Sequence, residues 1–226
     1  MKILFSLFAA LVLLPTPTLA QNDAVDLDME IERMMEAVGG REVWANATGF
    51  YMSEILHDAG QDLPIFREYW IDFETPRIYA RSHGRNIELV QVLNVDEGWT
   101  VSRGELRDWP AEEVEDWSSF WPGIPTRVFH MIASEDPDLD IQWRDGVMDV
   151  FYRGNRVVWI ATNDDGLPVA YGRENRHSDT HFLGEMLTYG DVNLWSEATE
   201  PTGDWRVVML EYKLYTGPMP DRYIHP

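Results

Sequence analysis

The sequence predicts an α+β fold: a long antiparallel β-sheet curled into an open half-barrel, with helices packed on its concave face. Three observations lead there. Apolar residues recur at helical spacing only near the start and in one central stretch. Elsewhere they alternate with period two over long runs. Short turn signals rather than long crossovers separate the later runs, which favours antiparallel pairing.

The chain opens on Lys2, an apolar run from Ile3 to Leu14, and small residues at Thr18 and Ala20. This is the layout of a secretory signal peptide over 1–20, cut between Ala20 and Gln21. A single domain over 21–226 is expected to remain, periplasmic or secreted. The apolar run is short for a membrane span and no second one follows, so no transmembrane segment is expected in the mature chain.

Residues 26–38 read as an amphipathic helix, with Leu27, Ile31, Met34, Met35 and Val38 on one stripe and Gly39-Gly40 ending it. A short helical turn follows at 41–47. Strands are expected at 48–57, at 65–73 with Ile65, Tyr69, Ile71 and Phe73 on one face, and at 87–95 with Ile87, Leu89, Leu93 and Val95 on one face. In 206–215, Val208, Leu210, Tyr212 and Leu214 are expected to share a face. Arg144-Asp145-Gly146, Arg153-Gly154-Asn155 and Asn163-Asp164-Asp165-Gly166 mark hairpin turns. Between the two groups of strands lies a helix at 110–121, opened by Pro110 and acidic in its first turn, with Val114, Trp117 and Trp121 as its stripe. Pro122-Gly123 stops it, and a second helix runs from Thr126 to about Ala133.

This order of elements resembles the LolA/LolB-type periplasmic lipoprotein carriers. The residues behind the resemblance are the N-terminal helix, the strand start Pro76-Arg77-Ile78-Tyr79, the turn Asp96-Glu97-Gly98-Trp99, the helix pair, and the hairpins ending in Asp164-Asp165-Gly166-Leu167-Pro168. The resemblance implies an unclosed barrel around a hydrophobic cavity for acyl chains, without catalysis. The chain has no cysteine, so it departs from the membrane-anchored receptor of that type.

Composition narrows the function further. An apolar fraction of 45% with ten tryptophans describes a chain with a packed core. Without cysteine, that core must hold without disulfides. The formal charge of −21 becomes −22 when Lys2 leaves with the leader, and such a surface repels phosphates, so nucleic acid is not an expected partner. Neither a metal nor a cofactor is expected. Gly-rich phosphate loops and zinc helices are absent, and Asp136, Asp138 and Asp140 are followed by Ile141 where a calcium loop needs glycine.

Two sets of residues are candidates for a site. If 175–183 is a strand, His177, Asp179 and His181 share a face and could act as base and orienter. The two histidines would stand about 13 Å apart, too far for one ion. A solvated turn is the plain alternative. Trp70, Trp99, Trp117, Trp121, Trp143 and Trp159 are candidate ligand-binding aromatics, with core packing as the alternative. Trp117 and Trp121, four apart on an acidic helix, are expected to line a cavity mouth.

Three functions follow. The first is an exported envelope protein that binds a hydrophobic or amphipathic small ligand, or an envelope protein partner, on its concave face. The second is an exported carbohydrate-active enzyme using tryptophan stacking with a carboxylate pair or the His177/Asp179/His181 group. The third is a non-catalytic interaction module. The leader gives the first test: N-terminal sequencing of the exported protein is expected to begin at Gln21, and a soluble cytosolic product beginning at Met1 would refute it.

Overall fold

The computed structural model describes residues 26–144, 146–173 and 180–226. The expected leader, Asp145, His177 and Asp179 lie outside the described residues.

Helix α1 (Leu27–Ala37) starts where the Asp26 carboxylate accepts from the Met29 amide at 3.3 Å. It ends at Gly39, whose φ of 118° suits glycine. A side chain there would also strike the Asp191 carbonyl oxygen, 2.7 Å from the Cβ position. Helix α2 (Arg41–Ala45) buries Trp44, which donates to the Val38 carbonyl at 3.1 Å.

Six strands then run as a meander: β1 (Gly49–Asp58), β2 (Ile65–Asp72), β3 (Arg77–His83), β4 (Glu88–Asn94), β5 (Glu97–Ser102) and β6 (Glu105–Asp108). The helical insertion is α3 (Ala111–Phe120), a 3₁₀ turn at Trp121–Gly123, and α4 (Pro125–Ala133). The chain continues through β7 (Leu139–Arg144), β8 (Val147–Tyr152), β9 (Asn155–Thr162), β10 (Pro168–Gly172) and β11 (His181–Leu183). A separate hairpin, β12 (Met186–Tyr189) and β13 (Val192–Trp195), precedes β14 (Glu197–Thr199) and β15 (Trp205–Tyr215).

Among the described residues, thirteen strands form one antiparallel sheet in the order β6-β5-β4-β3-β2-β1-β15-β14-β11-β10-β9-β8-β7. The sheet is open, with β6 at one edge and β7 at the other. These edge strands are consecutive in the chain, so α3, the 3₁₀ turn and α4 connect one edge to the other. The expected half-barrel with helices on its concave face is what the chain forms. Its main core joins α1, α2 and α4 to inward residues of β1–β4, β8, β9 and β15.

The insertion is fastened at mid-length. The Trp121 indole donates to the Asp72 carbonyl at 2.7 Å, and Arg127 Nε donates to the Phe73 carbonyl at 3.1 Å. The Arg127 guanidinium lies 3.5 Å from the Trp121 ring centroid and 5.1 Å from that of Tyr152. Arg127 is buried, and desolvation lowers its pKa. Ring faces and a carbonyl stabilise a cation that water does not reach. Trp121 therefore belongs to this fastening, and Trp117 lines the cavity without it. The helix ends at Phe120, and the 3₁₀ turn rotates Trp121 onto the sheet.

Two other expectations change. In β15, the pairing with β1 shifts between Ser53 and Glu54, and Leu210 is the extra residue. The bulge reverses the inward phase: Val207 and Met209 share the concave face with Tyr212, while Leu210 is exposed. In β4, Val92 and Leu93 are both buried, because both faces of the sheet are covered there. The cover on the outer face is the C-terminal segment 216–226.

That segment crosses a row of residues in direct register, Tyr51, Trp70, Tyr79, Val92 and Trp99. Tyr223 packs into the row, with Met219 beside it. The Arg222 guanidinium sits 4.1 Å over Trp70. His225 Nε2 lies 2.8 Å from Asp108 Oδ1 on the edge strand. Gly49 gives the segment room, since a Cβ there would collide with Met219 Sδ.

Two outcomes are expected. Trp121→Ala removes a packed indole and the partner of Arg127, and should cost about 3–5 kcal/mol in urea unfolding; a loss below about 1 kcal/mol, within the ordinary range for surface changes, would refute the fastening. The hydrogen bond to Asp108 raises the His225 pKa above 6.5, aided by the Pro226 carbonyl. The raised value means that its docking contribution is full below 6.5 and is lost as pH rises through the folded-state pKa. Amide exchange in 217–226 should therefore accelerate across that interval beyond its intrinsic pH trend, and Asp108→Asn should abolish the excess.

Candidate functional site

Facing residues of β1, β2 and β15 form the floor of a cavity of about 440 Å³ on the concave side. Its depth depends on pairing register. Met52 stands opposite Tyr69 and Tyr212, and Glu54 stands opposite Arg67 and Met209. Phe50 and Ile71 continue the floor. Tyr171 of β10 and His181 of β11 form one wall, Trp195 and Trp205 another, and Asp116, Trp117 and Phe120 of α3 close the helical side.

The walls are held by ring contacts. His181 stacks on Tyr171 at 4.8 Å and meets Trp205 edge-on at 5.2 Å. Tyr171 lies 5.9 Å from Trp195, and Trp195 lies 6.3 Å from Tyr212. Tyr189 of the small hairpin supports Tyr212 from behind at 4.7 Å. Offset and edge-on pairs at these separations are mutually favourable, which fixes the rings without filling the space between them.

One ion pair sits among these rings. Glu54 and Arg67 are in direct contact, and the Glu54 side chain is 3% exposed. Burial raises the Glu54 pKa, and Arg67 opposes the shift. The Arg67 guanidinium is 5.6 Å from the Tyr69 ring and 5.9 Å from that of Trp205. Burial also pushes the Tyr69 phenol up to about 12 and holds Tyr212 well above its ordinary value. At neutral pH these phenols are therefore hydrogen-bonding groups and not bases. Glu54 and Asp116 are the carboxylates among the described lining residues, and Glu54 is engaged by Arg67.

The residues singled out from sequence fall in several places. Trp117 lines the cavity and stacks on Trp109 at 5.0 Å. His181 lines it too, while His177 and Asp179 lie outside the described residues. Trp121 lies in the fastening and is not among the lining residues. Trp70 and Trp99 lie under the C-terminal segment on the opposite face. Trp159 packs with Val147 and Ala170 in an outer cluster, and Trp143 lies on the edge strand β7 against the main core. Sequence reasoning passed over Glu54, Arg67, Tyr171, Trp195, Trp205 and Tyr212. The signal for Glu54 and Arg67 was a charge on the apolar face of each strand.

Among the described residues, no group of three His, Asp or Glu side chains is placed to hold a metal ion. No described helix is long and apolar enough to cross a membrane.

No family model matches this chain, and no curated protein matches it. Solved structures with a similar arrangement include a DUF1329 family protein from Desulfovibrio piger, 9% identical, with 88% of this chain and 97% of that one covered at a TM-score of 0.47. A domain described as outer membrane lipoprotein-sorting, from Vibrio parahaemolyticus, is 10% identical, with 87% and 96% covered at a TM-score of 0.47. MucB is 12% identical, with 90% of this chain and 64% of that one covered at a TM-score of 0.27.

Proposed function

We propose that this chain is an exported envelope protein that binds a hydrophobic or amphipathic ligand of the lipid or acyl type in its concave cavity, without chemical conversion of it. The observation that carries this reading is the cavity itself. Its volume of about 440 Å³ lies within the ~300–1,000 Å³ of small-molecule sites. Its wall is mostly aromatic and aliphatic, with a few polar groups in fixed positions, the composition that suits an apolar body with one polar end. The leader expected over 1–20 supports export.

The carboxylates support binding over glycoside chemistry. Glu54 and Asp116 are the carboxylates among the described lining residues, and Glu54 is held in an ion pair with Arg67 inside the wall.

The test uses the mature chain and a fatty-acid probe whose fluorescence rises in apolar surroundings. Saturable uptake is expected. Met52→Trp, which fills the floor of the cavity, should weaken uptake at least tenfold, about 1.4 kcal/mol. It should still unfold cooperatively, since overpacking costs about 1–3 kcal/mol. Unchanged uptake by a folded Met52→Trp protein would place binding elsewhere and refute this site.

A further inference from the structure

The C-terminal segment 216–226 lies on the outer face as a guest and not as a strand. Thr48, just before β1, donates through Oγ1 to the Gly217 carbonyl at 2.6 Å. Beyond that point, among the described residues, no main-chain hydrogen bond joins 218–226 to the sheet. Pro218 and Pro220 remove two donors and favour an extended chain. The segment crosses the strands and is held by its side chains.

The face beneath it is built to receive such a chain. The Tyr51 and Trp70 rings are 4.7 Å apart, and those of Trp70 and Tyr79 are 5.3 Å apart. The Arg222 guanidinium stands 4.1 Å from the Trp70 ring and 5.7 Å from that of Tyr79, where ring faces favour a cation. Tyr223 takes the next place, against Val92 and Trp99. Asp108 ends the row and engages His225. An aromatic groove crossed by an extended, proline-bearing segment is a recurring mode of peptide recognition.

The resident segment fits this groove imperfectly. The Tyr223 hydroxyl is buried and has no hydrogen-bond partner among the described residues. Native proteins seldom leave such an atom unmet. A cleft of about 660 Å³ stays open beside the segment, with Asp72, Glu74 and Arg77 on its sheet side.

Charge decides which other guest suits the groove. Two copies of a chain with a formal charge of −21 repel each other. Around the groove, Asp72, Glu74, Glu97 and Asp108 outnumber Arg77 and Lys213. A basic segment is favoured over a second acidic chain.

We propose that the outer face is a second binding site, for a basic, proline-bearing, extended segment of another protein. That segment places a guanidinium over Trp70 and an aromatic ring against Val92 and Trp99. The chain's own C-terminal segment occupies the site until such a partner displaces it. The site lies across the sheet from the cavity and does not depend on what the cavity binds.

The experiment follows the anisotropy of a fluorescein-labelled peptide of residues 216–224 added to the mature protein. A tethered guest competes at roughly millimolar effective concentration, so loosening the tethered copy should admit the free one. Arg222→Ser with Tyr223→Ser in the chain should tighten peptide binding about tenfold. Asp108→Ala should tighten it about threefold, the scale of one exposed ion pair, because the peptide lacks His225 and makes no use of Asp108. A peptide carrying Arg222→Ala and Tyr223→Ala should bind about tenfold more weakly. A benzophenone in place of the Tyr223 ring should label Trp70, Tyr79, Val92 or Trp99. Equal affinity for the unmodified protein and the variants overturns the proposal, as does equal affinity of the two peptides or labelling on the cavity side. A dimer of the unmodified protein that the double variant loses would give the groove to a second copy and overturn its assignment to another protein. Asp108→Ala is a surface change that spares the fold, so its result decides the matter even if the double variant does not fold.

Discussion

Two main-chain carbonyls, those of Asp72 and Phe73, hold the concave side of this molecule together. They sit at the end of β2, and they accept from Trp121 and Arg127. Without those donors the carbonyls would be buried and unmet, a costly state. Without the Phe73 carbonyl, the buried Arg127 cation would lose its main-chain acceptor and keep only side-chain partners. Each need answers the other, and the helical crossing is docked as a result. The position of α3, and with it the helical wall of the cavity, follows from a contact made outside the cavity.

The same sheet carries different cores on its two faces. Inward, Phe50, Ile71 and Tyr212 meet the helices and the small hairpin. Outward, the row from Tyr51 to Trp99 meets the C-terminal segment. Strands buried on both faces lose the clean alternation that marks a half-buried sheet. Tyr51, Trp70 and Tyr79 therefore look, along the chain, like partners of the inward residues beside them.

That ambiguity separates what was legible in the sequence from what was not. The helices at 27–37 and 125–133 and most strands were legible, because period and turn chemistry are local properties of the chain. The half-barrel followed from their order. The site was much less legible. Tyr212 was assigned to the correct face, but Met209 was not, because a bulge is set by how two strands twist together and leaves no local mark in β15. Glu54 and Arg67 lie thirteen positions apart, and only the β1–β2 register makes them neighbours. Six tryptophans were grouped by residue type, and the fold sends them to the cavity, the fastening, the outer row, an outer cluster and an edge. The C-terminal segment, with Pro218, Pro220 and Pro226, has no period to read, and its role is defined by the face that it covers.

A chain that leaves one rim of a curled sheet and re-enters at the opposite rim behaves as a bowstring. Here the string is 109–138, shortened by winding into two helices and tied at mid-length to the bow. Flattening the sheet would stretch it; slack in it would let the bow relax. The length of this chord limits how far the two edges of the sheet can part. A change in that length, by insertion or deletion in the coil at either end of the string, would alter the width of the hollow while every floor residue stays the same.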